Sequence, residues 1–105
     1  MDYKLIRTDT ADEGIRKIIL SVAQKFGNAV ALQKLHEMEE AILRLGQNPY
    51  IGIDPRYPVL KRQQYKVLIL KKSLVFYKIN EKAKIVTIYA VVDQRQDYLS
   101  IIRDL

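Results

Sequence analysis

Residues 65–97 of this 105-residue chain read YKVLILKKSLVFYKINEKAKIVTIYAVVDQRQD, and three apolar runs within them decide the fold. The runs, residues 65–70, 74–79 and 85–92, are rich in the β-branched and aromatic residues that favour strands. The links between them are polar and of hairpin length, so we predict an antiparallel meander. The last run is apolar on nearly both faces, which predicts a central position in the sheet.

The residues before this sheet predict one strand and two helices. Residues 3–6 form a short strand candidate, and apolar residues then recur every three or four positions across residues 15–26 and 32–45. This spacing is typical of amphipathic helices. Gly27 lies between the two, so we expect them to fold back on each other as an αα-hairpin.

Capping chemistry indicates where these helices begin and end. Thr10 and Glu13 have the spacing of a capping box at the start of the first helix, and Asn28 is suited to cap the second. Gly46 is expected to end the second helix, and Pro49 prevents the helix from resuming at once.

The remaining segments are a loop and a terminal helix. Residues 46–64 contain all three prolines and predict a rigid surface connection, in which Val59 and Leu60 add a short edge strand. Residues 97–105 place four side chains on one helical face, namely Tyr98, Ile101, Ile102 and Leu105. The predicted fold is a single α+β domain over residues 1–105, with an N-terminal strand, an αα-hairpin, an antiparallel β-meander and a short C-terminal helix.

The net charge of +6 is unevenly distributed along the chain. Residues 1–60 carry eight Lys or Arg and eight Asp or Glu, whereas residues 61–105 carry ten basic residues against four acidic ones. All the excess charge therefore lies on the predicted sheet half, which favours an acidic partner, either nucleic acid or an acidic protein segment. The alternative is a solvated basic surface that keeps the domain soluble.

The composition excludes several kinds of site. The chain has no cysteine, which rules out disulfides, thiolate metal sites and cysteine nucleophiles, and which suits a reducing cytoplasm. No secretory signal, membrane-length apolar run, phosphate-cradling glycine loop or metal-ligand spacing is visible, so we expect no cofactor, no metal and no membrane association. The single histidine, His36, has no second histidine beside it and is expected to be structural or exposed.

The residues left for chemistry are basic and aromatic. The candidate binding cations are Lys61, Arg62, Lys66, Lys71, Lys72 and Arg95, and the accompanying tyrosines are Tyr65, Tyr77, Tyr89 and Tyr98. Together they suit a groove for phosphates and bases, and metal-free RNA cleavage is physically possible with such groups. The alternative for the tyrosines is packing on the sheet with a solvated hydroxyl.

The order of several motifs resembles the RelE/ParE superfamily of toxins from type II toxin–antitoxin (plasmid stabilisation) modules. The likeness is carried by residues 41–45 followed by Asn48-Pro49, by residues 65–67 and 74–79, and by residues 88–92 leading to residues 95–98. The resemblance implies a compact toxin that a co-expressed antitoxin neutralises by wrapping over the sheet, as a possible homodimer or as a heterotetramer with the antitoxin.

The superfamily has two functional classes. RelE-like toxins cleave mRNA on the ribosome, and ParE-like toxins inhibit DNA gyrase. By resemblance to RelE, the catalytic residues would be Lys66, Arg95 and Tyr98. Two further positions where RelE carries a lysine and an arginine are Leu68 and Leu74 here.

The ParE class is the better match. Phe26-Gly27 at the helix–helix turn and residues 95–97 before the last helix resemble ParE segments, and this likeness implies that Arg95 and Asp97 cap and anchor that helix. The leading hypothesis is a non-enzymatic inhibitor of an essential target, plausibly DNA gyrase. The alternatives are a ribosome-dependent mRNA endonuclease, with Lys71 or Lys72 compensating for the missing arginine, and a degenerate member that only binds its antitoxin.

Overall fold

The computed structural model describes residues 2–103 and 105. Its elements, in chain order, are β1 (Lys4–Arg7), α1 (Asp9–Phe26), α2 (Asn28–Gln47), a 3₁₀ turn (Pro49–Ile51), α3 (Pro58–Arg62), β2 (Lys66–Leu70), β3 (Ser73–Asn80), β4 (Ile85–Asp93) and α4 (Tyr98–Arg103). This order confirms the predicted α+β fold. No helix within the described residues is both long and apolar enough to cross a membrane.

The strands form one sheet in the order β1-β4-β3-β2. β2, β3 and β4 are antiparallel neighbours, which confirms the meander. β1 runs parallel to β4 on its free side. β4 is therefore an inner strand, as its apolar pattern predicts.

The sheet separates two hydrophobic clusters. The hairpin of α1 and α2 covers one face, where Met38 and Ile88 are fully buried; we call it the hairpin face. On the opposite face, which we call the aromatic face, Leu60 of α3 and Ile102 of α4 pack in one cluster with Phe76 of β3. The sheet is thus covered on both sides, but the aromatic face has only short helices to cover it.

A β-bulge in β4 lets this strand serve both clusters. Phe76 pairs with Ala90 whereas Tyr77 pairs with Ile88, so Tyr89 has no residue opposite it. Because an extra residue shifts the alternation of side chains, Tyr89 and Ala90 both contribute to the aromatic face, while Ile88 lies on the hairpin face.

Both predicted helix starts were wrong. Thr8 caps α1, since its Oγ accepts a hydrogen bond from Ala11 N at 3.1 Å, and Thr10 lies inside the helix. The physical reason is that the N–H of Thr8 still bonds to β4, so the chain turns from strand into helix at this residue. Gly27, with φ of 91°, precedes α2, and Asn28 is its first helical residue.

The edge strand predicted at Val59 and Leu60 was also wrong, because both residues lie in α3. Pro58 suits the first helical position, where a missing N–H costs nothing, and Leu60 is fully buried. The edge of β2 is instead bridged by Ile53, which exchanges two hydrogen bonds of 2.9 Å with the backbone of Val67.

Three predicted apolar stripes are confirmed only in part. Phe26 and Leu32, placed at the ends of the stripes in α1 and α2, are exposed at the surface. In the C-terminal stripe, Ile102 is fully buried, but Ile101 is exposed, and so is Leu105, which follows the end of α4. The helical period was therefore right, while the width of the buried stripe was overestimated.

Replacing Gly14 by alanine tests the contact between α1 and β4. A Cβ at Gly14 would clash with the carbonyl oxygen of Val91. A Gly→Ala change inside a helix ordinarily stabilises by about 0.5–1 kcal/mol, so the sign of the effect is informative. We expect Gly14→Ala to lower the free energy of unfolding by about 1–3 kcal/mol in denaturant titrations.

The control for this experiment is Gln24→Ala, at an exposed position of the same helix. It should change the free energy of unfolding by less than about 0.5 kcal/mol. A Gly14→Ala protein more stable than the wild type would contradict the close approach of α1 to β4.

Candidate functional site

Five aromatic rings form a continuous row on the aromatic face. In spatial order they are Tyr57, Tyr98, Phe76, Tyr65 and Tyr89, and neighbouring centroids are 5.2 to 6.4 Å apart, in tilted or edge-on contact. Phe76 and Tyr65 are 1% and 3% exposed, whereas the rings at the two ends are half-buried. We call this feature the aromatic row.

A cation lies at each end of the aromatic row. The guanidinium carbon of Arg56 is 5.9 Å from the centroid of Tyr57. At the other end, Lys78 Nζ lies 4.5 Å from the centroid of Tyr65 and 5.1 Å from that of Tyr89. Such cation–π contacts contribute about 0.5–1 kcal/mol each when solvent-exposed, and they hold the ammonium in place.

A cleft of about 420 Å³ opens beside Tyr98 and Phe76 of the row. It lies between the loop before α3, the edge of β2, and the segment before α4. The lining residues that matter below are Ile53, Asp54, Arg56, Ile69, Leu74, Arg95 and Tyr98.

The structure brings together two of the three residues implied as catalytic. Arg95 and Tyr98 both line the cleft. Lys66 does not, because it follows Tyr65 in an alternating strand and so leaves the sheet on the other side. At the edge of β2 its side chain nevertheless reaches Asp54, a residue of the cleft lining, and its Nζ lies 3.6 Å from Asp54 Oδ1.

The predicted binding cations also do not form one group. Lys61 Nζ lies 3.5 Å from Asp54 Oδ2, so Lys61 shares this carboxylate with Lys66. Arg62 is exposed at the end of α3. Lys71 and Lys72 are exposed in the β2–β3 turn, at the opposite end of β2.

Arg95 is engaged by a neighbouring acid. Its Nε and Nη2 atoms lie 3.1 Å from the two carboxylate oxygens of Asp93, and its backbone N–H donates to the same carboxylate at 2.8 Å. These hydrogen bonds lower the pKa of Asp93. Asp97 lies at the start of α4, where it accepts a weak hydrogen bond from Ser100 Oγ at 3.4 Å.

Two leucines occupy the positions where the RelE-like pattern carries cations. Leu74 lines the cleft and is 9% exposed. Leu68 packs against the cluster of the hairpin face, on the other side of the sheet. The cleft therefore gains no charge from either position.

Tyr98 offers an aromatic ring and a protonated hydroxyl at neutral pH. Burial raises its pKa, with a smaller contribution from Tyr57, and Arg56 offsets these effects only in part. A tyrosine with a pKa above the ordinary value keeps its proton and is a poor general base.

Tyr77 takes no part in this surface. Its hydroxyl donates to the carbonyl of Pro49 at 2.7 Å and accepts from the N–H of Gly52 at 3.1 Å. It thereby holds the loop that carries Ile53 and Arg56 to the cleft. Its role is to position that loop.

Sequence reasoning missed Lys78 and Arg56. Strand alternation places Lys78 on the same face as Phe76, so this signal was present in the sequence. The position of Arg56 depends on the loop that Tyr77 holds, and no periodic pattern reveals it. His36 is exposed and lies 3.3 Å from Glu40, as expected for a surface residue.

A second cleft, of about 1030 Å³, lies between α1, the end of β4 and α4. Its lining mixes acidic side chains such as Asp9 and Glu13 with basic ones such as Arg16 and Lys17. Among residues 2–103 and 105, no three His, Asp or Glu side chains are grouped to hold a metal ion.

Comparison with known proteins identifies one family. The family model described as the ParE toxin of the type II toxin–antitoxin system parDE matches residues 5–98, nearly the whole chain. No curated protein matches the chain significantly by sequence.

Solved structures share the fold at low sequence identity. A chain of the chromosomal ParDE system of P. aeruginosa superposes with a TM-score of 0.73 at 18% identity, covering 87% of this chain and 95% of that one. A chain of the toxin–antitoxin complex RelBE2 of Mycobacterium tuberculosis gives 0.66 at 16%, covering 91% and 95%. A mutant of the E. coli toxin RelE in the free state gives 0.60 at 14%, covering 96% and 93%.

Removing the Tyr77 hydroxyl should loosen the loop that forms the cleft. Tyr77→Phe leaves the carbonyl of Pro49 and the N–H of Gly52 without their partner, which should cost about 1–3 kcal/mol of unfolding free energy. Denaturant titration measures this loss. Tyr89→Phe, at a half-buried tyrosine of the same sheet, is the control, and equal losses in the two variants would argue against the loop contact.

A separate cluster at the β3–β4 turn predicts an unusual tyrosine titration. Glu81 accepts hydrogen bonds from the hydroxyls of Tyr3 and Tyr50, which lowers its pKa and raises that of Tyr50 to about 12. In Glu81→Gln, Tyr50 should ionise closer to the ordinary pKa of about 10, as seen in the ultraviolet absorbance of tyrosinate.

The same cluster has a defined pH window. Because the pKa of Glu81 is depressed in the folded protein, its contribution to folding stability is present above the unfolded pKa and is lost as the pH falls through the folded pKa.

A Tyr50→Phe variant is the control for the tyrosine titration, because it identifies which high-pH absorbance transition belongs to Tyr50. If that transition persists in Tyr50→Phe, or is unchanged in Glu81→Gln, the assigned contact is incorrect.

Proposed function

Because the chain belongs to the ParE family of toxins from type II toxin–antitoxin systems, we propose that it arrests bacterial growth by binding an essential cytoplasmic protein, with DNA gyrase as the leading candidate. An antitoxin encoded beside it binds and neutralises it, as the toxin–antitoxin complexes of similar fold suggest.

The observation that carries this proposal is that Arg56 is the only cation of the cleft lining, among the described residues, without an acidic partner. Metal-free RNA cleavage requires cations on the reacting phosphate and a group that accepts the 2′-hydroxyl proton. Leu74 lines the cleft without charge, Arg95 is engaged by Asp93, and Tyr98 keeps its proton. Loss of a single donor to a transition-state anion typically costs about 100–1000-fold in rate.

The same cleft has features that suit a protein partner. Ile53 and Ile69 are 55% and 57% exposed at its rim, although both are large apolar residues. Arg56 and Tyr98 lie beside them. Aromatic and arginine side chains around an apolar centre are typical of the energetically important part of protein interfaces.

Induced expression in a bacterial host, followed by assays on the purified protein, tests the proposal. We expect growth arrest with filamentation and a DNA-damage response, full-length cellular mRNA, and inhibition of supercoiling by purified gyrase. Co-expression of the neighbouring antitoxin should restore growth. A heat-unfolded sample and an empty vector are the matched controls.

Two other outcomes would replace the proposal. Rapid translation arrest with cut mRNA, and gyrase unaffected, would establish the RelE-like endonuclease; Arg95→Ala and Tyr98→Phe should then abolish cleavage. Normal growth despite a folded, expressed protein would establish a degenerate member that only binds its antitoxin.

A further inference from the structure

One corner of the aromatic face lies beyond the aromatic row, where β1, β4 and β3 run side by side. Strand alternation and register place seven residues there: Lys4, Ile6, Lys78, Asn80, Ile85, Thr87 and Tyr89. We call this the open corner. All seven are exposed or half-exposed, and Ile6 is 39% exposed.

The residues of the open corner form a regular grid. Ile6 pairs with Thr87, which pairs in turn with Lys78. One step along the same face, Lys4 pairs with Ile85. From strand spacing and rise, the Cα atoms of the two lysines are about 12 Å apart, with apolar side chains between them.

The open corner is positively charged and carries no carboxylate of its own. Elsewhere on this half of the described chain, several cations are compensated, such as Lys66 by Asp54 and Arg95 by Asp93. Lys78 is held by two tyrosine rings and forms no ion pair with any described residue. An aromatic ring attracts an ammonium group but cannot accept its three N–H donors as a carboxylate does.

The geometry favours a protein partner over single-stranded nucleic acid. Proteins that bind single strands offer open ring faces on which bases stack. Here the ammonium of Lys78 lies over the rings of Tyr65 and Tyr89, and Tyr65 is almost fully buried. The rings therefore position a cation and leave little ring surface for a base.

We propose that the open corner docks an acidic amphipathic segment of the antitoxin, and that Lys78 binds one of its carboxylates. Apolar side chains of the segment cover Ile6 and Ile85, and a second carboxylate reaches Lys4. A helix presents such acids seven residues apart, a distance of about 10.5 Å, which the two flexible lysine side chains span. This inference rests on the proposed function, because it assumes an antitoxin partner.

The decisive variant is Lys78→Met, tested against the antitoxin encoded in the neighbouring reading frame. Methionine keeps the apolar stem and packs well on aromatic rings, so only the charge is removed. We expect its affinity for the antitoxin to fall about tenfold at low salt, with a weaker salt dependence, in titration calorimetry. Lys78→Arg should retain most of the affinity.

Lys82→Met is the matched control, because it removes the same charge from an exposed position in the β3–β4 turn, outside the open corner. Its affinity should stay within about twofold of wild type. Lys4→Met is the second test variant and should weaken binding in the same direction. It lies on an exposed edge strand, so it keeps the proposal testable if Lys78→Met does not fold.

The outcomes separate this inference from the proposed function. A wild-type protein that neither arrests growth nor binds the antitoxin removes the proposed function itself. If wild type, Lys78→Met and Lys4→Met all bind the antitoxin equally tightly, the open corner is not its docking site, while the proposed function stays intact. Equal weakening by Lys78→Met and Lys82→Met indicates a general charge effect and overturns the inference. If Lys78→Met loses binding to a single-stranded RNA oligonucleotide but keeps its binding to the antitoxin, the open corner is a nucleic-acid site, which also overturns the inference.

Discussion

The unopposed residue Tyr89 is the constraint on which both faces of the sheet depend. β4 is an inner strand with a hydrophobic cluster on each side, and a regular alternation would place residues 89 and 91 on the same face. The bulge changes the phase, so that Val91 turns to the hairpin face while Ala90 and Val92 turn to the aromatic face. α1 can then approach the backbone of β4 at Val91, where Gly14 leaves room for it. One inserted residue therefore determines both how the hairpin packs and where the aromatic row ends.

The distribution of free charge follows from this packing and not from the count of basic residues. Lys61 and Lys66 share one carboxylate, and Arg95 is engaged by Asp93. The cations without such partners among the described residues include those at the two ends of the aromatic row, Arg56 and Lys78. At these two positions a cation is held in place by aromatic side chains and not by a carboxylate. A partner with acidic groups can bind there without first breaking an internal ion pair.

Much of the fold could be predicted because period and turn chemistry are local properties. The runs in residues 65–92 identify three strands, and Gly27 between two apolar stripes identifies the hairpin. The wrong assignments share a cause, which is competition from tertiary contacts. Val59 and Leu60 are too few to distinguish strand from helix by period, and burial of Leu60 decided the matter. Thr8, and not Thr10, caps α1 because the backbone N–H of Thr8 is bonded to β4, eighty residues away in the sequence.

The candidate site was less predictable, because its members come together only through strand phase and loop position. Lys66 and Lys78 are both strand lysines next to a tyrosine, yet alternation sends them to opposite sides of the sheet. A count of basic residues cannot show this difference, because it does not record the face of the sheet on which each side chain lies. The face on which Lys78 lies could be predicted from strand alternation, whereas the bulge that brings Tyr89 beside it could not. A bulge inserts one residue without any change of composition.

A nuclease and a docking surface make opposite demands on residues 68 and 74. Catalysis on a phosphate needs cations that are held in place but not neutralised, because the stabilisation must be available to the transition state. Docking of a protein segment needs apolar area that water leaves on binding, with charge placed around it. Leu74 supplies apolar area within the cleft, and Leu68 packs against the cluster of the hairpin face. An arginine at position 74 alone would therefore add one cation to the cleft, while Arg95 and Lys66 would keep their carboxylate partners, Asp93 and Asp54.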